Sequence, residues 1–176
     1  MQATHLRVDG DRLHASLAEL AAIGATDDGG CCRLALTDED RAGRDLVCRW
    51  MREAGLDVQI DAIGNVFGRR AGSEDAAPVM TGSHVDTVRT GGRYDGCLGV
   101  LAGIEVVRVL DDAGLRTRRP LVVGAFTNEE GARFAPDMLG SLVYVGGLPI
   151  EEAHARIGID GARLGDELER IGYRGA

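Results

Sequence analysis

Five acidic or histidine side chains have the types and the spacing that a hydrolytic metal site needs. His84 and Asp86 form an H-x-D pair, Asp95 follows nine residues later within GGRYDG, and Glu129 and Glu130 are adjacent. Imidazole nitrogens and carboxylate oxygens are the usual protein ligands of a catalytic zinc ion. A carboxylate that bridges two ions, with other ligands on either side, suits a two-metal centre. Taken singly, each residue has a commoner structural role, so only their joint spacing favours metal chemistry.

Two predicted strands end at these residues. The apolar segment 78–86 has strand character, and so does segment 119–126, RPLVVGAF, whose nearly continuous apolar run is typical of a parallel strand covered on both faces. Residues 97–114 lie between them and predict a well-buried helix. Ligands of α/β proteins bind outside the carboxyl ends of the strands. The pattern therefore places all the candidate residues at one edge of a sheet.

The rest of the chain predicts a layered α/β fold. Residues 11–24 carry a helical stripe of apolar residues, and residues 37–55 predict a second helix. Thr37 and Asp40 resemble a capping box at the start of that helix. Residues 56–70 predict two short strands around a turn. The last third contains short helices and glycine turns without a clear final strand, and the order of the elements favours an α/β architecture.

Composition narrows the possible functions. A chain of 176 residues suits one domain with a substantial core, and a hydrophobic fraction of 44% is ordinary for a globular protein. The net charge of −8 argues against a nucleic-acid or anionic-membrane surface. No signal-like or membrane-spanning apolar run occurs, so we expect a cytoplasmic protein. The four cysteines lack C-x-x-C spacing, and the adjacent Cys31 and Cys32 are expected to be buried or semi-buried thiols rather than a disulfide.

Two longer segments resemble a known family. Residues 82–110 and 127–141 are similar to the signatures of the amidase (hydantoinase/carbamoylase) branch of the dinuclear zinc peptidase M20 superfamily. This branch holds N-carbamoyl-L-amino acid hydrolases, allantoate amidohydrolases and β-ureidopropionases. The segments GGCCRLALTDEDRAGR, DAIGNVFGRRAG and DGARLGDELERIGYRG also resemble it, so the likeness runs through nearly the whole chain. The resemblance implies a three-layer, zinc-exopeptidase-like α/β catalytic domain with a mostly parallel sheet.

The resemblance gives each candidate residue a role. His84 matches the first histidine ligand, Asp95 the aspartate that bridges two metals, and Glu130 a ligand of the second metal. Glu129 matches the general base and Asp86 the acid that supports the histidine ligand, a partner that metal-bound imidazoles usually have. The implied cofactors are two divalent metal ions, zinc or in some relatives manganese. The implied reaction is hydrolysis of a ureido or carbamoyl C–N bond of a small molecule, with Glu129 moving protons between water and the leaving nitrogen.

The resemblance also implies parts that residues 1–176 do not contain. Family members are more than twice as long, form homodimers through an inserted domain, and add one further histidine to each metal. We therefore expect residues 1–176 to be the N-terminal part of the catalytic domain, truncated, without the inserted dimerisation (lid) domain and the C-terminal part. Each metal would lack one histidine, so we expect weak metal binding and little or no hydrolysis by this chain alone.

Two structural expectations concern His154 and the edge of the sheet. His154 lies in a polar segment and is expected to be solvated rather than to replace an absent ligand. The sheet is expected to have an unpaired edge, with apolar surface exposed on segment 121–126 and on helix 97–110.

Three functions remain open. The leading hypothesis is an N-carbamoyl-L-amino acid or allantoate-type amidohydrolase. The second is a dipeptidase or aminopeptidase of the wider superfamily. The sequences of the motifs GGRYDG and TNEEGARF favour the amidohydrolase branch over it. The third is a non-catalytic remnant that binds a partner, supported only by the absent histidines. Allantoate, β-ureidopropionate and N-carbamoyl-L-amino acids all remain possible substrates, and the last is the broadest class.

Overall fold

The computed structural model describes residues 5–176. These residues form helices α1 to α6 and strands β1 to β4. Their order along the chain is α1 (Gly10–Ala21), α2 (Asp38–Glu53), β1 (Asp57–Ile60), β2 (Val66–Arg70), β3 (Val79–His84), α3 (Cys97–Asp112), β4 (Leu121–Phe126), α4 (Leu139–Tyr144), α5 (Ile150–His154) and α6 (Leu164–Ile171).

The four described strands form one open sheet in the order β1-β2-β4-β3. Strands β3 and β4 run parallel, in a register that sets His84 beside Phe126. The α/β class is confirmed, but the expectation of a mostly parallel sheet is wrong for these strands, because only one of their three pairings is parallel. β1 and β2 form a hairpin, and β2 then pairs with β4 in the opposite direction.

Helix α2 forms where its capping pattern predicts. The Thr37 hydroxyl accepts a hydrogen bond from the N–H of Asp40. The Asp40 carboxylate does not complete the predicted box; it accepts the N–H of Leu36 and pairs with Arg44 one turn further along the helix. The inner face of α2 is buried as its apolar spacing predicts, through Leu46, Val47, Trp50 and Met51.

Helices lie on both faces of the sheet. Helix α3 packs on β3 and β4, while α2 packs on β1 and β2. A Cβ atom at Gly68 would lie 2.9 Å from the sulfur of Met51, which shows how closely α2 approaches the sheet. Successive residues of a strand point to opposite faces. Phe67 accordingly packs on the other face, against Phe126 and the Tyr144 ring of α4. The fold is therefore layered.

Strand β3 is an edge strand of the described sheet, and apolar side chains lie beside its free side. Val79 and Met80 are 49% and 37% exposed, and Leu98 and Val106 of α3 are both 45% exposed. A groove of about 400 Å³ runs between β3, α3 and β4. The expected exposure of helix α3 is confirmed. The expected exposure of segment 121–126 is wrong, because β4 lies inside the sheet and its four central residues are buried.

His154 is half-buried rather than solvated, because its Nε2 lies 2.8 Å from the carbonyl oxygen of Ala62 in the turn between β1 and β2. All four cysteines are free; Cys31 is buried and Cys32 is partly buried, as the sequence predicts, and Cys48 and Cys97 are buried as well. Within residues 5–176, no helix is long and apolar enough to cross a membrane.

Candidate metal centre

The parallel pair of strands brings the predicted ligands together. β3 ends at His84, and the chain leaving β4 reaches the glutamate pair at the same edge of the sheet. Asp95 arrives from the loop before α3. His84, Asp95 and Glu130 each offer a ligand atom, and these atoms all lie within 4.8 Å of one another. His84 is buried, Glu130 is partly buried and Asp95 is exposed, so the group opens to solvent on one side.

The imidazole of His84 is held by the main chain. Its Nδ1 lies 2.9 Å from the backbone carbonyl oxygen of Asp86, whereas the nearest carboxylate oxygen of Asp86 is 3.9 Å away. A carbonyl only accepts hydrogen bonds, which assigns the proton to Nδ1 and turns Nε2 toward the site. Nε2 lies 3.2 Å from Oε2 of Glu129. The partner that orients the ring is therefore the carbonyl of Asp86 and not its carboxylate.

Gly96 lets the loop that carries Asp95 approach this ring. Its φ is 63°, in the left-handed region, and a Cβ atom at this position would lie 2.4 Å from Cε1 of His84. Side chains are never found that close, so the backbone must pass over the imidazole without one. The glycine thus sets the distance between His84 and Asp95.

The carboxylate of Asp86 holds the glutamate pair. It is 1% exposed, and its two oxygens accept the backbone N–H groups of Glu129 and Glu130, each at 3.3 Å. Burial raises the pKa of Asp86 to about 6, and the nearby carboxylate of Asp40 adds to this rise, while the charges of His84 and Arg44 oppose it. The structure thus links Asp86 to the main chain of the glutamates as well as to His84.

Glu130 supplies the observation that tests whether the group fits a metal. Its Oε1 is buried and has no hydrogen-bond donor among the described residues. Burial raises the pKa of Glu130, and the negative charges of Asp95 and Glu129 raise it further. An unpartnered carboxylate oxygen among other carboxylates, facing an imidazole nitrogen, is a donor set that suits a divalent cation. The residues fit the metal that their spacing predicts.

Two buried polar residues that were not predicted from the sequence contact the chain where it leaves β4. Arg44 pairs with Asp40 at 2.8 Å and donates to the Thr127 hydroxyl at 3.3 Å. The side-chain oxygen of Asn65 accepts the N–H of Thr127 at 2.8 Å. Both contacts fix the point where the chain leaves β4 for the glutamate pair. The signal for Arg44 was present, because Asp40 and Arg44 are four residues apart on the same face of α2 as Met51.

The fold and the site match those of a metallohydrolase: an α/β sheet with an imidazole and carboxylates, which could hold a metal ion, beside the carboxyl ends of two parallel strands. Residues 65–174 match the model of Peptidase family M28, and the chain belongs to this family. The sequence motifs resembled the amidase branch of the M20 superfamily. The matching family model is that of Peptidase family M28, and the relatives described next support the amidase branch.

Two curated relatives and one crystal structure illustrate the likeness. The N-carbamoyl-L-amino-acid amidohydrolase of Rhizobium meliloti is 51% identical over 170 residues, which cover 96% of this chain and 41% of that protein. The ureidoglycolate hydrolase of Arabidopsis thaliana is 38% identical over 92% of this chain and 34% of that protein. A hydantoinase/carbamoylase family amidase from Burkholderia ambifaria superposes with a TM-score of 0.96 at 57% identity, over 97% of this chain and 42% of that one. The chain thus spans about two fifths of the length of these relatives.

Proposed function

We propose that this chain carries the catalytic residues of an amidohydrolase that cleaves a ureido or carbamoyl C–N bond. The observation that carries the proposal is the meeting of the ligand atoms of His84, Asp95 and Glu130 within 4.8 Å, with Glu129 beside them. The 51% identity to an N-carbamoyl-L-amino-acid amidohydrolase supports the substrate class. A dipeptidase remains the weaker alternative, and no contact at this site favours it.

The candidate ligands would hold two divalent metal ions. His84 and Glu130 would each hold a different ion and Asp95 would be shared, as the family resemblance implies, with zinc preferred and manganese the alternative. The donor set of one imidazole and two carboxylates supports this assignment. A bound divalent ion supplies Lewis acidity, which acidifies water and stabilises oxyanion charge. Only these three side chains form such a group among the described residues, so the chain alone is expected to bind zinc weakly.

Glu129 is the general base of this proposal. Its side chain is 33% exposed, and its Oε2 lies 3.2 Å from Nε2 of His84, so it can accept a proton from a water molecule at the ligand group. The same carboxyl group then returns a proton to the leaving nitrogen. Water adds to the carbamoyl carbon and the C–N bond breaks. This cleavage leaves a carbamic acid, which loses carbon dioxide as its remaining C–N bond breaks. An N-carbamoyl amino acid and one water thus give the amino acid, carbon dioxide and ammonia.

Three other proposals concern the substrate, the cellular compartment and the oligomeric state. N-carbamoyl-L-amino acids are the preferred substrate class, with ureidoglycolate and allantoate as related ureido acids. Four free cysteines support a reducing compartment such as the cytoplasm. Homodimerisation, which the family resemblance implies for longer members, stays a prediction.

Zinc titration of the purified chain tests the division of roles between the two acids. Glu129→Gln is expected to keep the zinc affinity of the parent within about threefold, because a base is not a ligand. Asp95→Asn is expected to weaken zinc binding more than tenfold, because one shared ligand charge is lost. The two variants are matched, since each replaces one carboxylate by an amide. Equal loss of zinc in both would refute the roles proposed here.

Product analysis tests the reaction class. A protein of the relatives' full length that contains residues 1–176 is loaded with zinc, because residues 1–176 alone are expected to show little or no hydrolysis. It is incubated with an N-carbamoyl-L-amino acid or with a dipeptide, and released ammonia and free amino acid are measured. Ammonia from the carbamoyl compound, absent with Glu129→Gln, is the expected result. Cleavage of the dipeptide in preference to the carbamoyl compound would transfer the proposal to the peptidase alternative.

A further inference from the structure

Asn128 is a buried polar residue between β4 and the glutamate pair. Its side chain is 0% exposed, and its φ is 51°, in the left-handed region that asparagine tolerates better than most residues. Glu129 and Glu130, the proposed base and the proposed ligand, follow it directly. The conformation of Asn128 therefore sets the direction in which the chain enters the pair.

The side chain of Asn128 reaches across the loop of residues 129–137. Its Nδ2 donates hydrogen bonds to the carbonyl oxygens of Phe134 at 2.7 Å and Pro136 at 3.2 Å. Its Oδ1 accepts the N–H of Phe134 at 3.4 Å. Phe134 is itself fully buried, so the far side of the loop is anchored in the core. One amide group thus joins the start of the loop to its far side.

Backbone hydrogen bonds complete the loop around the glutamates. The chain leaving the loop returns beside the chain entering it, since Met138 donates to the carbonyl of Glu129 at 2.7 Å and Gly140 donates to that of Thr127 at 2.8 Å. On the opposite side, the N–H of Glu129 binds the carboxylate of Asp86. The peptide groups on both sides of Glu129 are therefore held, and Asn128 closes the loop between them.

Asparagine is the residue type that meets all the requirements at position 128. Glycine would accept the left-handed backbone but would offer no hydrogen bonds. Aspartate would keep the backbone preference and could accept the N–H of Phe134, but it would set a carboxylate against two carbonyl oxygens. Side chains that lack this tolerance would be strained at this φ. The buried amide therefore points to a task for the side chain itself.

We propose that Asn128 is a positioning residue of the metal centre. By closing the loop 129–137 it holds the carboxylates of Glu129 and Glu130 in two different places, one beside Nε2 of His84 and one among the ligand atoms. The inference rests on the proposed function, because Asn128 acts only through the two glutamates. A merely structural asparagine would change the unfolding temperature without changing which atoms meet the metal.

Cobalt titration of the purified chain tests the inference, because the visible spectrum of bound Co²⁺ reports the geometry of its ligands. Asn128→Gly keeps the backbone conformation and removes the three hydrogen bonds. We expect a Co²⁺ dissociation constant at least tenfold higher than that of the parent, and an altered spectrum. Met138→Gly is the matched control, since glycine keeps the backbone N–H that donates to Glu129 and removes only a side chain that is 53% exposed, at a position with a φ of 50°. This control is expected to leave both quantities within about twofold.

A double variant separates positioning from general damage. If Asn128 acts through Glu130, then Asn128→Gly combined with Glu130→Gln binds Co²⁺ within about threefold of Glu130→Gln alone. Multiplied losses in the double variant would overturn the inference, and so would an Asn128→Gly variant that matches the parent in affinity and spectrum. If the glycine variant fails to fold by Trp50 fluorescence, Asn128→Asp takes its place with the same expectations. A parent chain that binds no Co²⁺ would instead defeat the proposed metal function, and the role of Asn128 with it.

Discussion

Replacement of Gly96 by alanine gives the sharpest test of how the metal centre is assembled. The added Cβ would lie 2.4 Å from Cε1 of His84 and 2.5 Å from each ring nitrogen, whereas ordinary contacts begin at 3.4 Å. The loop and the ring must therefore separate by about 1 Å, the difference between these distances. His84 is only 5% exposed and is bonded to the carbonyl of Asp86, so the loop with Asp95 is the part that moves.

The expected effect on metal binding follows from that displacement. A misplacement of about 1 Å in a reacting group can cost on the order of 10²-fold in activity, and we expect a loss of zinc affinity between about tenfold and a hundredfold. The positive φ adds a second effect, since alanine in the left-handed region costs about 1–2 kcal/mol of folding free energy. Zinc affinity is measured by competition with a chelator, and stability by denaturant unfolding.

Two other glycines separate these effects. Gly114 has the same φ of 63° and no atom within 4 Å of an added Cβ, so Gly114→Ala is expected to show the loss of stability with unchanged zinc affinity. Gly92 lies in the same loop as Gly96 and also has open space around it, so Gly92→Ala is expected to change neither quantity. If Gly96→Ala binds zinc as tightly as Gly114→Ala does, the argument from steric exclusion is refuted.

Two further predictions concern stability and thiol chemistry. The pKa of Glu167 is lowered, first by its hydrogen bond from Arg170 and also by Arg133, so its stabilising contribution is present above its unfolded pKa and disappears as the pH falls through the lowered value. Glu167→Gln is expected to lower the free energy of unfolding by about 1–2 kcal/mol at pH 7; a deficit that persisted unchanged in strong acid would contradict this reasoning. Burial raises the pKa of Cys31 and Cys48, and that of Cys97 to about 11, while Cys32 is the one partly exposed cysteine. A coloured disulfide reagent at pH 8 is expected to modify one thiol quickly in the native chain and four in denaturant, and rapid reaction of two or more native thiols would count against this burial.

Local sequence signals were enough to predict the elements that position the site. The apolar run of β4, the helix that begins at Cys97 and the Thr37 cap of α2 each depend on neighbouring residues, and all three are confirmed. The meeting of His84, Asp95 and Glu130 could also be predicted, because the carboxyl ends of parallel strands share one edge of a sheet.

Contacts between distant segments could not be predicted in the same way. The antiparallel pairing of β2 with β4 joins residues more than fifty positions apart, and no local pattern fixes its direction. That pairing, with β3 on the other side, is what buries segment 121–126. His154 was expected to be solvated because its neighbours in sequence are polar, yet its partner is a carbonyl 92 positions away.

The contacts of Asp86 could be predicted from the sequence only in part. The family resemblance indicated that the acid of Asp86 supports His84, but a residue's type and position do not say which of its oxygens makes the contact. The structure uses the carbonyl for the imidazole and leaves both carboxylate oxygens for the glutamate pair.

The position of β3 has a practical consequence for protein engineering. Edge strands that lack charged residues are prone to pair with other chains, and natural proteins often place a lysine there to prevent it. Val79 and His84 are at opposite ends of β3, and at about 3.3 Å per residue they are separated by roughly 17 Å. A lysine at Val79 or Met80 would thus discourage association at one end of the strand while the ligand group at the other end keeps its surroundings. Solubility and metal chemistry can therefore be tuned separately along a single strand.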